Sequence, residues 1–147
     1  MLNIRFYESI DDELLKFAVI ISRFKGNWVL CNHRERTTYE WPGGHREQGE
    51  NIIETAKREL YEETGAVKFQ IRQMGIYSVQ GDDGVRDRSE ESFGMLFFAE
   101  IDVLEEIPAG FEIERIEFFS KLPENNWTYP EIQLRLMEQV AEALSII

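Results

Sequence analysis

The feature that most constrains this 147-residue chain is a run of fixed spacing in its middle: Gly44, five residues, Glu50, seven residues, then Arg58-Glu59-Leu60-x-Glu62-Glu63-x-Gly65. Behind the helix breakers Pro42-Gly43-Gly44, the pattern predicts a helix starting near Glu50 or Asn51 with Ile52, Ile53, Ala56 and Leu60 as its apolar stripe. Gly65 stands where a helix end commonly requires positive φ. At 3.6 residues per turn, Glu59, Glu62 and Glu63 share an arc of roughly 100°. Glu63 projects toward the apolar stripe, where a lone carboxylate is costly, so a cationic group is expected to meet it. For an arbitrary Glu-rich helix a solvated acidic face is the ordinary reading. The fixed spacing with Gly44, Arg58 and Gly65 favours a site for a hard divalent cation instead.

This run resembles the Nudix box of the Nudix hydrolase superfamily, as do the lead-in Glu40-Trp41-Pro42-Gly43-Gly44 and the Glu47-x-Gly49-Glu50 stretch. One slot departs: Ala66 replaces a larger aliphatic residue, a difference of packing rather than chemistry. The motif covers Gly44 to Ala66. The resemblance implies an α/β/α sandwich with a mixed β-sheet, and one Nudix hydrolase domain over residues 1–147. It implies Mg²⁺, with Mn²⁺ as an alternative, held by Glu59, Glu63, Glu62 and the Gly44 carbonyl. Either Glu59 or Glu63 is then the general base. Arg58 orients the carboxylates and Glu50 is the structural acid of the loop. Glu112 is the expected acid from outside the box, with Glu105, Glu106 and Glu114 as competitors. Arg34 or Arg36 is expected to bind phosphate, which suits the guanidinium fork.

Trp28, Trp41 and Trp127 are each candidates to stack on a base, Trp41 and Trp127 above all, although core packing is the commoner fate of a tryptophan. His33 and His45 are expected in accessory or exposed roles, and Arg86 and Arg88 in local salt bridges. The implied reaction is metal-dependent hydrolysis of a pyrophosphate bond in a nucleoside diphosphate linked to a group X. Val79 to Gly84 has neither the proline nor the tyrosine that marks two other subfamilies. The compact length and lead-in look more like MutT-type nucleoside triphosphate pyrophosphohydrolases, some of which act on oxidised guanine nucleotides. ADP-ribose or nucleotide-sugar cleavage, and a nucleotide-sensing module that binds without cutting, are the alternatives; sensing modules commonly lose box carboxylates, and all are present here.

A net charge of −12 speaks against long nucleic acid as a partner and leaves a small nucleotide. With no apolar run near the roughly 20 residues a membrane span needs, one cysteine (Cys31) and no secretory signal pattern, a cytoplasmic protein is expected, as monomer or homodimer.

Around the box, residues 17–24 and 28–31 read as a hairpin turned by Lys25-Gly26-Asn27. Strands are expected at 68–79, 93–101 and 115–119, with a turn at 81–84 and a charged run at 85–91. Thr128-x-x-Glu131 with Pro130 reads as a capping box opening a closing helix from Tyr129 to Leu144.

Overall fold

The computed structural model describes residues 2–82 and 86–145. In chain order the elements are β1 (Asn3–Tyr7), a 3-10 turn (Asp12–Leu14), β2 (Leu15–Phe24), β3 (Asn27–His33), β4 (Tyr39–Glu40), β5 (Gly43–His45), α1 (Ile52–Thr64), β6 (Ala66–Asp82), β7 (Asp87–Leu104), β8 (Ile113–Phe119) and α2 (Pro130–Ala143). The strands form a mixed sheet in the order β1-β6-β7-β2-β3-β4, with β5 added to β2 and β8 to β3. β2 and β7 run parallel and the other pairings are antiparallel.

Strand alternation sends successive side chains to opposite faces, and each face is covered by one helix. Ile20, Phe97 and Ala99 pack with Ile52, Ala56 and Leu60 of α1. Ile21, Leu96 and Phe98 pack with Ile132, Leu136, Met137 and Val140 of α2. The α/β/α sandwich with a mixed sheet is therefore present.

One branch in the sheet positions everything that follows. The hairpin closes through Lys25 and Gly26, both at positive φ, so β2 pairs with β3 at Arg23↔Trp28 and Phe24↔Asn27. Further back, Phe17, Ala18 and Val19 pair instead with His45, Gly44 and Gly43. β3 meanwhile turns its ladder to β8, from Trp28↔Phe119 to His33↔Ile113. The Gly-Gly segment, expected to interrupt regular structure, thus enters the sheet as β5. A Cβ at Gly43 would lie 2.4 Å from the Ala18 carbonyl oxygen, so this close pairing requires glycine.

Several boundaries move. α1 starts one residue beyond Asn51, whose side chain accepts from the Glu54 N–H while Glu54 bonds back to the Asn51 N–H. In this capping box asparagine stands in place of the usual Ser or Thr. Ile53 is exposed, and Thr55 takes the buried position beside Ala56. The capping box expected at the second helix does not form. Tyr129 is the N-cap without a side-chain bond, and the Thr128 hydroxyl bonds Thr38 and Glu40 across the fold, so tertiary partners took the group that local sequence had assigned to the helix. Pro130 does open the helix.

β6 and β7 run past their expected ends as a two-stranded ribbon through Gly81↔Arg88 and Asp82↔Asp87, where charged side chains tolerate a strand with solvent beside it. Gly81 and Asp82 are therefore strand rather than turn, and Asp83, Gly84 and Val85 lie outside the described residues. β1 carried no distinct signal; it pairs with β6 from Asn3↔Gln80 to Tyr7↔Ile76.

Gly65 ends α1 at φ +81°, with its carbonyl accepting from the Glu105 N–H at 2.9 Å. A Cβ there would lie 2.2 Å from the Glu105 carbonyl oxygen. Gly65→Ala is therefore expected to lower unfolding free energy by about 1–3 kcal/mol, combining positive-φ strain with backbone displacement. Denaturant titration would read this as a lower midpoint.

Candidate active site

The branch at β2 lays Gly43 and Gly44 against the carboxylate face of α1. The Gly43 N–H donates to Glu63 Oε1 at 2.8 Å. A Cβ on Gly44 would stand 2.4 Å from the carboxyl carbon of Glu59, so the absence of a side chain is what admits that carboxylate. Among the described residues, a backbone amide meets Glu63 and no lysine or arginine pairs with it. Burial pushes its carboxyl well above the ordinary value of 4.5, against the effect of the Gly43 hydrogen bond and reinforced by the charges of Glu59, Glu40 and Glu112. Glu59 is also raised, first by burial and then by Glu62 and Glu112, with Arg58 opposing.

Arg58 ties the acidic loop to the helix. Its Nε donates to Glu50 Oε2 at 2.6 Å, its Nη1 to Glu59 Oε1 at 2.8 Å and Glu62 Oε1 at 3.2 Å, and its Nη2 to the His45 carbonyl at 2.9 Å. Glu50 also accepts from the Glu47 N–H and the Thr55 hydroxyl. Arg58 and these bonds hold the Glu50 carboxyl down at about 2.

Beside this cluster opens a cleft of about 600 Å³, lined among others by Lys16, Phe17, His33, Arg36, Trp41, Gly44, Tyr77, Glu112 and Gln133. Of the four acids proposed from outside the box, Glu112 is the one in the lining, and its charge is felt by both Glu59 and Glu63. His33 Nε2 lies 2.9 Å from Glu112 Oε2, a contact that spacing alone did not disclose.

The two loop arginines separate. Arg36 lines the cleft, ion-paired with Glu40 at 3.0 Å and set over the Tyr129 ring. Arg34 is outside the lining: its Nε donates to the Phe111 carbonyl and its N–H to the Glu112 carbonyl, so it shapes the segment that presents Glu112. Lys16, Arg86 and Arg88 add positive charge to the lining. Lys16 comes from the start of β2, where the ladder with β7 is irregular between Leu15 and Phe17, and Arg88 comes from the ribbon.

Trp127 does not face the cleft. It is buried in the α2-side core with its indole N–H donating to the Pro123 carbonyl, as is Trp28, while Trp41 packs against both and also lines the cleft.

Among the described residues, no three His, Cys, Asp or Glu side chains already converge as a metal-ligand set. The donor chemistry nevertheless fits a hard cation that takes part of its shell from phosphate and water: carboxylate oxygens of Glu59, Glu62, Glu63 and Glu112 beside a glycine backbone, two of them raised by burial and mutual repulsion.

Two stability measurements follow. Glu63→Gln keeps an acceptor for the Gly43 N–H and removes a buried charge, so without metal its melting temperature at neutral pH should equal or exceed that of the unsubstituted protein. Glu50 has the opposite sign. Its folded value near 2 lies below the ordinary 4.5, so its contribution is complete above pH 4.5 and disappears as pH falls toward 2. Glu50→Gln should therefore be destabilised at neutral pH, with the deficit closing over that window in pH-dependent denaturation.

Comparison with known proteins places this geometry in context. The NUDIX domain family matches residues 13–134. A Bacillus subtilis (strain 168) protein described as "Putative 8-oxo-dGTP diphosphatase YtkD" is 38% identical over 110 residues, which is 75% of this chain and 65% of that protein. The crystal structure of the Bacillus subtilis pyrophosphohydrolase BsRppH, as a Glu→Ala mutant, is similar with a TM-score of 0.78 and 28% identity over 97% of this chain and 90% of that one. A NUDIX hydrolase from Nitrosomonas europaea shares the fold at a TM-score of 0.70 and 19% identity, over 88% and 90% of the two chains. Since the family match takes in β2, β5 and all of α1, the elements that bring the glutamates to the Gly-Gly backbone, the chain belongs to the Nudix family.

Proposed function

We propose that this protein hydrolyses a pyrophosphate bond of a small nucleotide, and that its substrate is a nucleoside triphosphate, cut to a monophosphate and pyrophosphate. The observation that carries the reading is the pair Glu59 and Glu63, pressed against Gly44 and Gly43, two glycines that line a cleft holding both basic and acidic side chains. Glu59, Glu62, Glu63, Glu112 and the Gly44 carbonyl are the residues that would hold Mg²⁺, with Mn²⁺ as a substitute. When bound, the metal supplies neutralisation of phosphate charge and a water of lowered pKa.

The chain's own residues do the rest. Burial makes Glu59 and Glu63 stronger proton acceptors than exposed carboxylates, which suits one of them to take the proton from the attacking water. The Gly43 N–H aims Glu63, and Arg58 holds Glu59 and Glu62 in register. Arg36 and Lys16 are placed to draw phosphate oxygens into the cleft. Water attacks one phosphorus, the bridging P–O bond breaks, and pyrophosphate leaves.

The relative whose name refers to an 8-oxo-dGTP diphosphatase supports an oxidised guanine nucleotide as the first substrate to try. Cleavage of ADP-ribose or a nucleotide sugar is the second reading.

Product analysis with Mg²⁺ across nucleoside triphosphates, 8-oxo-dGTP, ADP-ribose and nucleotide sugars tests this. Monophosphate plus pyrophosphate is expected, lost on chelation and restored by Mg²⁺; binding without turnover of any member would favour a sensing module. Glu59→Gln and Glu63→Gln should each reduce turnover by roughly 10²–10⁴-fold, and unchanged turnover in either removes that residue from the catalytic set. Mg²⁺ should raise the melting temperature of the unsubstituted protein and have little effect on Glu63→Gln.

A further inference from the structure

Three buried side-chain atoms among the described residues lack any hydrogen-bond partner: Asn32 Oδ1, Trp41 Nε1 and Gln133 Oε1. Asn32 lies outside the cleft lining and spends its amide on the Thr38 carbonyl. The other two belong to residues that line the cleft, Trp41 at 3% and Gln133 at 6% exposure. Leaving such atoms unpaired costs about 1–3 kcal/mol each, and a leucine at position 133 would avoid the cost. Two such atoms beside one cavity are one donor and one acceptor, an N–H and an amide oxygen.

We infer that Trp41 and Gln133 read the edge of a nucleobase that presents a hydrogen-bond acceptor beside a donor. The inference rests on the nucleotide reading above and adds the subsite that selects the base. Phe17, Val19, Tyr77, Val79 and Ile132 supply apolar walls for a flat ring on the α2 side of the cleft. Trp41 stands three residues before Gly44, so the chain holds the two within about 11 Å, a gap that a nucleoside's sugar bridges. Both atoms are closed to solvent. Gln133 has three side-chain torsions with which to swing its amide toward an entering base; the Trp41 ring is held against Trp28 and Trp127, so its N–H meets the base only once side chains around it, Gln133 among them, have moved aside. In this assignment Trp41 recognises the base through its N–H rather than by stacking. The lactam edge of guanine and the amidine edge of adenine both carry an acceptor next to a donor.

Titration calorimetry of the full chain with Mg²⁺ against GMP, AMP and ribose 5-phosphate tests the assignment without requiring turnover. The unsubstituted protein should bind at least one of the nucleotides more tightly than ribose 5-phosphate. Gln133→Leu should lose about ten-fold in affinity for that nucleotide and none for ribose 5-phosphate, while its melting temperature stays level or rises because an unpaired acceptor is gone. Trp41→Phe should repeat the selective loss. Whichever nucleotide suffers more identifies the edge that is read. Unchanged nucleotide affinity in Gln133→Leu overturns the assignment, as does an equal loss for ribose 5-phosphate. A selective loss in a protein that hydrolyses none of the panel would retire the hydrolase reading and leave the base subsite standing.

Discussion

The structure depends on how closely a backbone can approach a carboxylate. β5 enters the sheet along β2 only because Gly43 has no side chain to strike the Ala18 carbonyl, and α1 settles onto β5 only because Gly44 has none to strike Glu59. With those two side chains absent, a backbone amide reaches Glu63 and two acidic groups are held where burial and mutual repulsion raise both. An apolar residue at either acidic position would suit folding better. Local instability of this kind marks a place where chemistry rather than folding has chosen the residues.

Arg58 keeps this from becoming simple repulsion. One guanidinium engages Glu50, Glu59, Glu62 and the His45 carbonyl, joining the loop before the helix to the helix itself. Glu50, bonded also to the Glu47 amide and the Thr55 hydroxyl, is depressed while Glu59 and Glu63 are raised. Three carboxylates within one motif thus divide into one low and two high, although Arg58 or a backbone amide bonds each of them: the Arg58 bond dominates at Glu50, and burial dominates at Glu59 and Glu63.

Much of the site was legible because its parts are local. Helix periodicity put Glu59, Glu62 and Glu63 of α1 on one face, and Gly65 took the left-handed position assigned to it. Where a tertiary partner intervened, local rules misled. The Thr128 hydroxyl went to Thr38 and Glu40 rather than to the helix N-terminus. Trp127 and Trp41 were indistinguishable as sequence, yet one spends its N–H on Pro123 and the other keeps it unpaired beside the cleft. Arg34 and Arg36 sit two residues apart, and the ladder of β3 with β8 directs only the second to the cleft.

The sequence by itself determined the chemistry: the spacing of Gly44, Glu50, Arg58, Glu59, Glu62, Glu63 and Gly65 is a statement about one helix and the loop before it, and short-range geometry is enough to read it. Only the tertiary structure decided which remote residues join that chemistry. Glu112, His33, Arg36, Lys16 and Gln133 reach one cleft through the branching of β2, the crossing of β3 to β8 and the seating of α2. Those contacts are set by the pairing of distant strands and the burial of shared apolar faces, and neither leaves a local trace in the order of the residues.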